Sequence, residues 1–180
     1  MTITYYDTLG VATPHTLTIP AHGSTGVYQG DGVNSPTAAG AYTATIGSDL
    51  PVVAIVNEVA PPSNDLHQFT SYNTFLSGQT TAHVPLVEHA GSDGWSTAVG
   101  VMNTGTAPTT VTLTYYNGGS PVGSAQVQTI PAKGVWSWYQ PTSGLPVGAG
   151  NGRPTTTGGG TIAVICNESN GSTFMSYNAL

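Results

Sequence analysis

Charge is what this 180-residue sequence has least of. Lys133 and Arg153 are its only basic side chains, set against five Asp and three Glu, for a net charge of −6. Globular domains usually carry about a quarter charged residues; here the share is 6%. Two cations cannot neutralise a run of phosphates, so nucleic-acid binding is excluded. The polybasic route to an anionic membrane surface closes for the same reason. Cys166 is the sole cysteine, which leaves no intrachain disulfide and no cysteine-based metal cluster. No apolar run approaches the roughly 20 residues of a bilayer-spanning helix. The start, Met1-Thr-Ile-Thr-Tyr-Tyr, lacks the charged and apolar regions of a signal peptide. Export is therefore expected from composition alone, with any leader removed. No window carries a capped helical stripe.

Neutral polar residues take over solvation. There are 28 threonines and 24 glycines, and a β-branched hydroxyl residue suits a pleated, half-exposed surface better than a helix. Period-two alternation follows. Val111, Leu113 and Tyr115 fall on one face and Thr112, Thr114 and Tyr116 on the other, while Val135-Trp-Ser-Trp-Tyr139 puts both tryptophans on one side. Val52–Val56 and Ile162–Cys166 are continuous apolar runs, the pattern of central, well-covered strands.

The sequence also repeats itself. Thr2-Ile-Thr-Tyr-Tyr-Asp7 matches Thr112-Leu-Thr-Tyr-Tyr-Asn117, and Ile19-Pro-Ala-His-Gly23 matches Ile130-Pro-Ala-Lys-Gly134. Tyr28-Gln29 matches Tyr139-Gln140, Ile55-Val-Asn-Glu58 matches Ile165-Cys-Asn-Glu168, and Ser71-Tyr-Asn73 matches Ser176-Tyr-Asn178. Five blocks in one order predict two units, residues 1–81 and 82–180. The second should hold seven strands, near 83–89, 95–103, 109–117, 121–130, 134–140, 160–168 and 172–179. The first has no counterpart of His83–Thr110 and so should lack the first two strands. Seven short strands in about a hundred residues is the pattern of an immunoglobulin-like sandwich. The ordered blocks resemble the tandem immunoglobulin-like repeats of bacterial extracellular and surface proteins. That resemblance implies an all-β fold of two tandem β-sandwich repeats, and it lends no reaction, because its motifs are structural.

No residue set points to catalysis or to a cofactor. There is no Gly-x-Ser-x-Gly elbow, and eight scattered acids offer no specific pair. Histidines 15, 22, 67, 83 and 89 lack metal-ligand spacing. Asp31-Gly32, Asn64-Asp65 and Ser92-Asp93-Gly94 could offer oxygens to calcium, but turn formation explains them better. Asn57-Glu58 and Asn167-Glu168 are expected in turns, bonding local amides, and Cys166 as a small buried hydrophobe. The formal sequons at Asn167 and Asn170 matter only in a glycosylating host.

The expected function is therefore a structural one. Leading is a self-assembling, secreted subunit of an extracellular filament or surface layer, with Thr2, Ile3, Thr4, Tyr5 and Tyr6 as the contact strand. An adhesive or carbohydrate-binding surface module is the alternative, with sugar stacking on Trp136 and Trp138. An enzyme accessory domain ranks last. A unit short of two strands leaves three outcomes: a cut from a longer array, a fused body of twelve strands, or completion by another chain through β-strand addition.

Overall fold

The computed structural model describes residues 1–29, 32–59, 69–91, 93–143 and 145–180. Among them the chain is all-β, with thirteen strands and one short 3-10 turn at Gln140–Thr142. The strands are β1 (Thr2–Tyr6), β2 (Ala12–Thr16), β3 (Thr43–Gly47), β4 (Ile55–Val59), β5 (Phe69–Asn73), β6 (Val84–His89), β7 (Ser96–Asn103), β8 (Thr109–Asn117), β9 (Ser120–Ile130), β10 (Val135–Tyr139), β11 (Gly148–Thr157), β12 (Ile162–Ser169) and β13 (Phe174–Asn178). Every pairing between them is antiparallel.

Residues 82–180 form two four-stranded sheets, β6-β11-β8-β9 and β10-β7-β12-β13. Alternation decides which side chains meet. Val111, Leu113 and Tyr115 of β8 are fully buried, and so are Val99 and Val101 of β7 and Val164 and Cys166 of β12. These residues, with Val84, Val87, Ile130 and Trp138, make one core shared by both sheets. The intervening Thr112, Thr114 and Tyr116 are half-buried on the outer face. Buried Asn103, at the end of β7, donates to the carbonyls of Ala107 (2.8 Å), Pro131 (3.0 Å) and Ile130 (3.1 Å) and accepts from Gly105 N–H (2.9 Å). A buried amide so fully bonded costs little and ties two turns together.

This region has eight strands where the sequence predicts seven. The addition is β11, Gly148-Ala-Gly-Asn-Gly-Arg-Pro-Thr-Thr-Thr157, whose glycines and proline read as a loop. It instead lies between β6 and β8. Glycine is needed there because the neighbours come close: a Cβ on Gly150 would stand 2.5 Å from the Tyr116 carbonyl oxygen, and one on Gly152 would be 3.3 Å from both Leu113 and Val87.

Residues 1–81 contribute a three-stranded sheet, β2-β1-β3, and a two-stranded one, β4-β5. The apolar run Val52–Val56 is not a covered central strand. Only Ile55 onward is extended in a sheet, Val53 is 99% exposed, and Ile55 is 65% exposed. No strand among the described residues lies on the far side of β4 to cover it.

Pairing registers coincide between β4–β5 and β12–β13. Ile55 sits opposite Asn73 and Asn57 opposite Ser71, as Ile165 sits opposite Asn178 and Asn167 opposite Ser176. Strand order is alike around β1, which runs between β2 and β3 as β8 runs between β9 and β11, but β8–β9 carries a register shift between Leu113 and Tyr115 that β1–β2 lacks.

Candidate interaction surface

Apolar exposure is concentrated in the first region. The buried apolar residues of 1–81 among those described are Ile3 and Tyr5, while Leu9, Val11, Tyr28, Val33, Leu50 and Val53 are each at least 60% exposed. Among the described residues the outer edge of β3 and that of β4 pair with no named strand. Each therefore carries unpaired N–H and C=O groups, a template for an added strand.

Strand Thr2–Tyr6, expected to make subunit contacts, cannot use its edges. It is the middle strand of its sheet, paired on both sides by β2 and β3. Alternation inside β1 sends Ile3 and Tyr5 inward, and Tyr5 packs edge-on against His15 at 5.7 Å between ring centroids. Repetition marks a strand that the fold uses and does not tell an edge from a centre: the repeated blocks fall on central β1, β8 and β12 and also on β4, β5, β10 and β13 at sheet edges.

The expected two-indole platform is also divided. Trp136 and Trp138 share a face of β10 by parity, but Trp138 is 6% exposed in the core and Trp136 is 43% exposed at its rim. Beside Trp136 lies a shallow cleft of about 250 Å3, between β9 and β10, lined also by Gln126, Gln128, Ser137, Tyr139 and Ser143. Gln126 is held there by bonds from its amide to the carbonyls of Ser143 (2.8 Å) and Ser124 (3.1 Å).

The Asn-Glu pairs lie within strands β4 and β12, not in turns. Glu168 is wholly buried. Its Oε1 accepts from the hydroxyls of Thr97 and Tyr177, both at 3.4 Å, and its Oε2 has no partner. Burial, then the nearby Glu88 carboxylate, pushes its carboxyl above the usual range. Tyr177 also donates to the Leu86 carbonyl, which fixes β13 across to β6. Cys166 is buried and its thiol is pushed up to about 12, chiefly by desolvation. In the first region Tyr72, raised to about 12 by burial and then by Glu58, occupies the place of Tyr177. Glu58 is only half-buried there.

The two regions meet mainly through polar contacts. Glu58 accepts from Ser176 Oγ (2.9 Å), Thr70 Oγ1 accepts from Ser176 N–H (3.0 Å), and Asn178 donates to the Asn73 carbonyl (2.8 Å). Thr43 donates to the Lys133 carbonyl (2.6 Å). Gly10 abuts the same turn, where a Cβ would stand 2.4 Å from the Ala132 oxygen. Lys133 itself has φ +62° and its counterpart His22 has φ +60°. Arg153, the second cation, lies 5.1 Å from the centroid of the Tyr116 ring, a cation–π contact at the surface.

No group of three or more His, Cys, Asp or Glu side chains converges among the described residues, and no helix there is long and apolar enough to cross a membrane. Asp31, Asn64, Asp65, His67 and Ser92 lie outside the described residues. No family model matches the sequence, and no curated protein does either. A solved structure described as "Crystal Structure of Thermotoga maritima 1070" is similar over 58% of this chain and 96% of that one, at 12% identity and a TM-score of 0.47; neither fold nor activity follows from a likeness of that size.

Proposed function

We propose that this chain is a secreted structural subunit of an extracellular filament or surface layer, built from two immunoglobulin-like β-sandwich repeats and joined to its neighbours through β-strand contacts. The N-terminal repeat is the incomplete one. What carries this reading is the contrast between the regions. Where residues 82–180 close two sheets over a core, residues 1–81 repeat the β12–β13 register in β4–β5, and among the described residues the outer edges of β3 and β4 pair with no named strand. Gln29 reaches the Tyr5 hydroxyl at 3.5 Å, as Gln140 and Ser143 stand beside that of Tyr115, which adds a tertiary contact to the parallel.

A surface with two cations and many hydroxyls fits work done by backbone edges and neutral side chains. Contacts between an edge on one subunit and a different patch on the next are heterologous, and they propagate into filaments wherever the rotation between subunits does not close a ring. Light scattering and electron microscopy of the purified chain over a wide concentration range test the proposal. Concentration-dependent growth into fibres or sheets is expected; a monomer persisting to millimolar concentration overturns it.

A glycan-binding surface module is the second reading, and the cleft beside Trp136 favours it. One exposed indole face next to two glutamine amides is a sugar-stacking arrangement. Binding of an oligosaccharide panel that is lost in Trp136→Ala and retained in Trp95→Ala, a half-buried indole just before β7 and outside the cleft lining, would select this reading.

A further inference from the structure

The two sheets of residues 82–180 are tied together along one side and part along the other. On the tied side Leu180 N–H donates to the His83 carbonyl (3.1 Å) and Tyr177 donates to the Leu86 carbonyl. On the other side the edge strands are β9 and β10, each paired with one strand only, and the cleft beside Trp136 lies between them. Register shows which side chains look into it. Gln126 and Gln128 sit opposite Leu113 and Val111, and Trp136 sits opposite Val101; these three partners are fully buried. Directly opposed residues share a face, so both glutamines and the indole stand at core-facing positions. Apolar side chains fill such positions in a sandwich, as Ile130 does further along β9. Amides at two successive inward positions break that pattern, and they do so where the core opens to solvent.

Their bonding decides what they offer. Gln126 spends both amide protons, on the carbonyls of Ser143 (2.8 Å) and Ser124 (3.1 Å), and Gln128 donates to the Thr129 carbonyl (3.1 Å). Among the described residues neither side-chain carbonyl accepts a bond, so the pair presents acceptors. Ser143, which anchors Gln126, is itself held by Gln140, through its hydroxyl (2.7 Å) and its N–H (3.1 Å). Both cations are engaged elsewhere, Lys133 on the Thr104 carbonyl and Arg153 over the Tyr116 ring.

We propose that the cleft binds one uncharged pyranose ring of a glycan, stacked on Trp136, with neighbouring hydroxyls donating to the side-chain carbonyls of Gln126 and Gln128. A pyranose with equatorial hydroxyls has a C–H face for the indole and O–H donors around its rim, and the cleft supplies the complement of each. The volume limits the ligand to one ring, because about 250 Å3 lies below the roughly 300 Å3 at which sites for drug-sized ligands begin. Charge excludes acidic sugars. A carboxylate would meet two acceptor oxygens and no cation on a chain of net charge −6, and would lose its hydration without compensation. The inference rests on the glycan-binding reading, deepens it by naming ligand class and acceptors, and holds whether or not subunits assemble.

The probes are methyl β-glucoside, methyl β-glucuronide and sorbitol, each titrated into the isotope-labelled full chain and followed by NMR. With the glucoside, saturable shifts are expected at the Trp136 indole N–H and the side-chain amides of Gln126 and Gln128, with the Trp95 indole unmoved. The glucuronide is the same ring with a carboxylate, and sorbitol is a polyol with no ring face; each should bind at least tenfold more weakly. Trp136→Ala should abolish the shifts. Gln128→Leu should weaken binding at least fivefold, while Gln128→Glu, which keeps an acceptor, stays within threefold of the parent; the backbone amide spectrum of each variant reports its fold. Four results overturn the inference: no saturable shift at the cleft, equal affinity for glucoside and glucuronide, sorbitol binding as well as the glucoside, or full affinity in Gln128→Leu. An oligosaccharide panel that binds through Trp136 but favours acidic sugars would leave the glycan-binding reading standing and this inference fallen. A chain that binds no glycan loses both.

Discussion

Glu168 and Cys166 lie in one strand and face the same core, and the cost of ionising either one controls how it behaves. Glu168 is enclosed by Thr97, Tyr177 and the Glu88 carboxylate, with one oxygen unbonded. Its folded-state pKa is raised above the unfolded value of roughly 4, so the neutral acid is the form that the fold favours. The stability it lends is complete below that unfolded value and fades as pH rises through the folded one. Glu168→Gln keeps the shape and removes the charge. Relative to the parent chain, the variant should gain about 1–2 kcal/mol between pH 4 and pH 8, the size of a relieved buried polar mismatch. Urea unfolding of both proteins across that range checks this, and a pH-independent difference would refute it. Cys166, wholly buried with its thiol pushed up to about 12, should resist iodoacetamide at pH 8 and react within minutes in denaturant, because the thiolate is the nucleophile. Rapid alkylation of the native chain would show that β12 opens readily.

At the scale of single elements, β11 is where physical reasoning from sequence falls short. Gly148 to Gly152 and Pro154 look like punctuation, because the same residues that permit turns also permit close approach. Nothing local distinguishes the two; only the neighbours Tyr116, Leu113 and Val87 do. The distinction yields a ranking. Gly152→Val should cost about 1–3 kcal/mol by overpacking Leu113 and Val87, both of which are side chains that can yield. Gly150→Ala meets the Tyr116 carbonyl, which is backbone, and should cost more while loosening the β11–β8 pairing. Chemical denaturation midpoints would give the order, and equal midpoints for Gly150→Ala and the parent would contradict it. By contrast β8 was legible, since Val111, Leu113 and Tyr115 alternate with half-buried Thr110, Thr112 and Thr114, and the structure buries those three together with Thr109 at the head of the strand. The pair Trp136 and Trp138 was legible in parity and not in depth. Alternation places both on one face, but position along the strand decides that Trp138 is under the core and Trp136 at its rim.

For the whole molecule, stability should be divided unevenly between regions that share a strand plan. Local opening is cheapest where few apolar side chains are buried and backbone edges meet water. Residues 82–180 hold one continuous core with Val84, Val99, Val111 and Leu113 fully buried. The described residues of 1–81 bury Ile3 and Tyr5, and lean on the second region through side-chain bonds at Thr43, Glu58, Thr70 and Asn73 and through backbone pairing of Gln79–Thr81 with β12 and β11. Each such bond contributes about 0.5–1.5 kcal/mol net, so the joint steadies the first region without closing it. Native hydrogen exchange of the chain alone should therefore show β7, β8 and β12 exchanging last, by global unfolding. The amides of β3 and β4 should exchange at least a hundredfold faster, with central β1 in between. Removing two of these bonds with Ser176→Ala and Asn178→Ala together should speed β5 exchange and leave β8 unchanged. Equal, slow exchange in β3 and β8 would mean that the N-terminal region closes by itself, and subunit contacts through the edges of β3 and β4 would then have no place in the assembly.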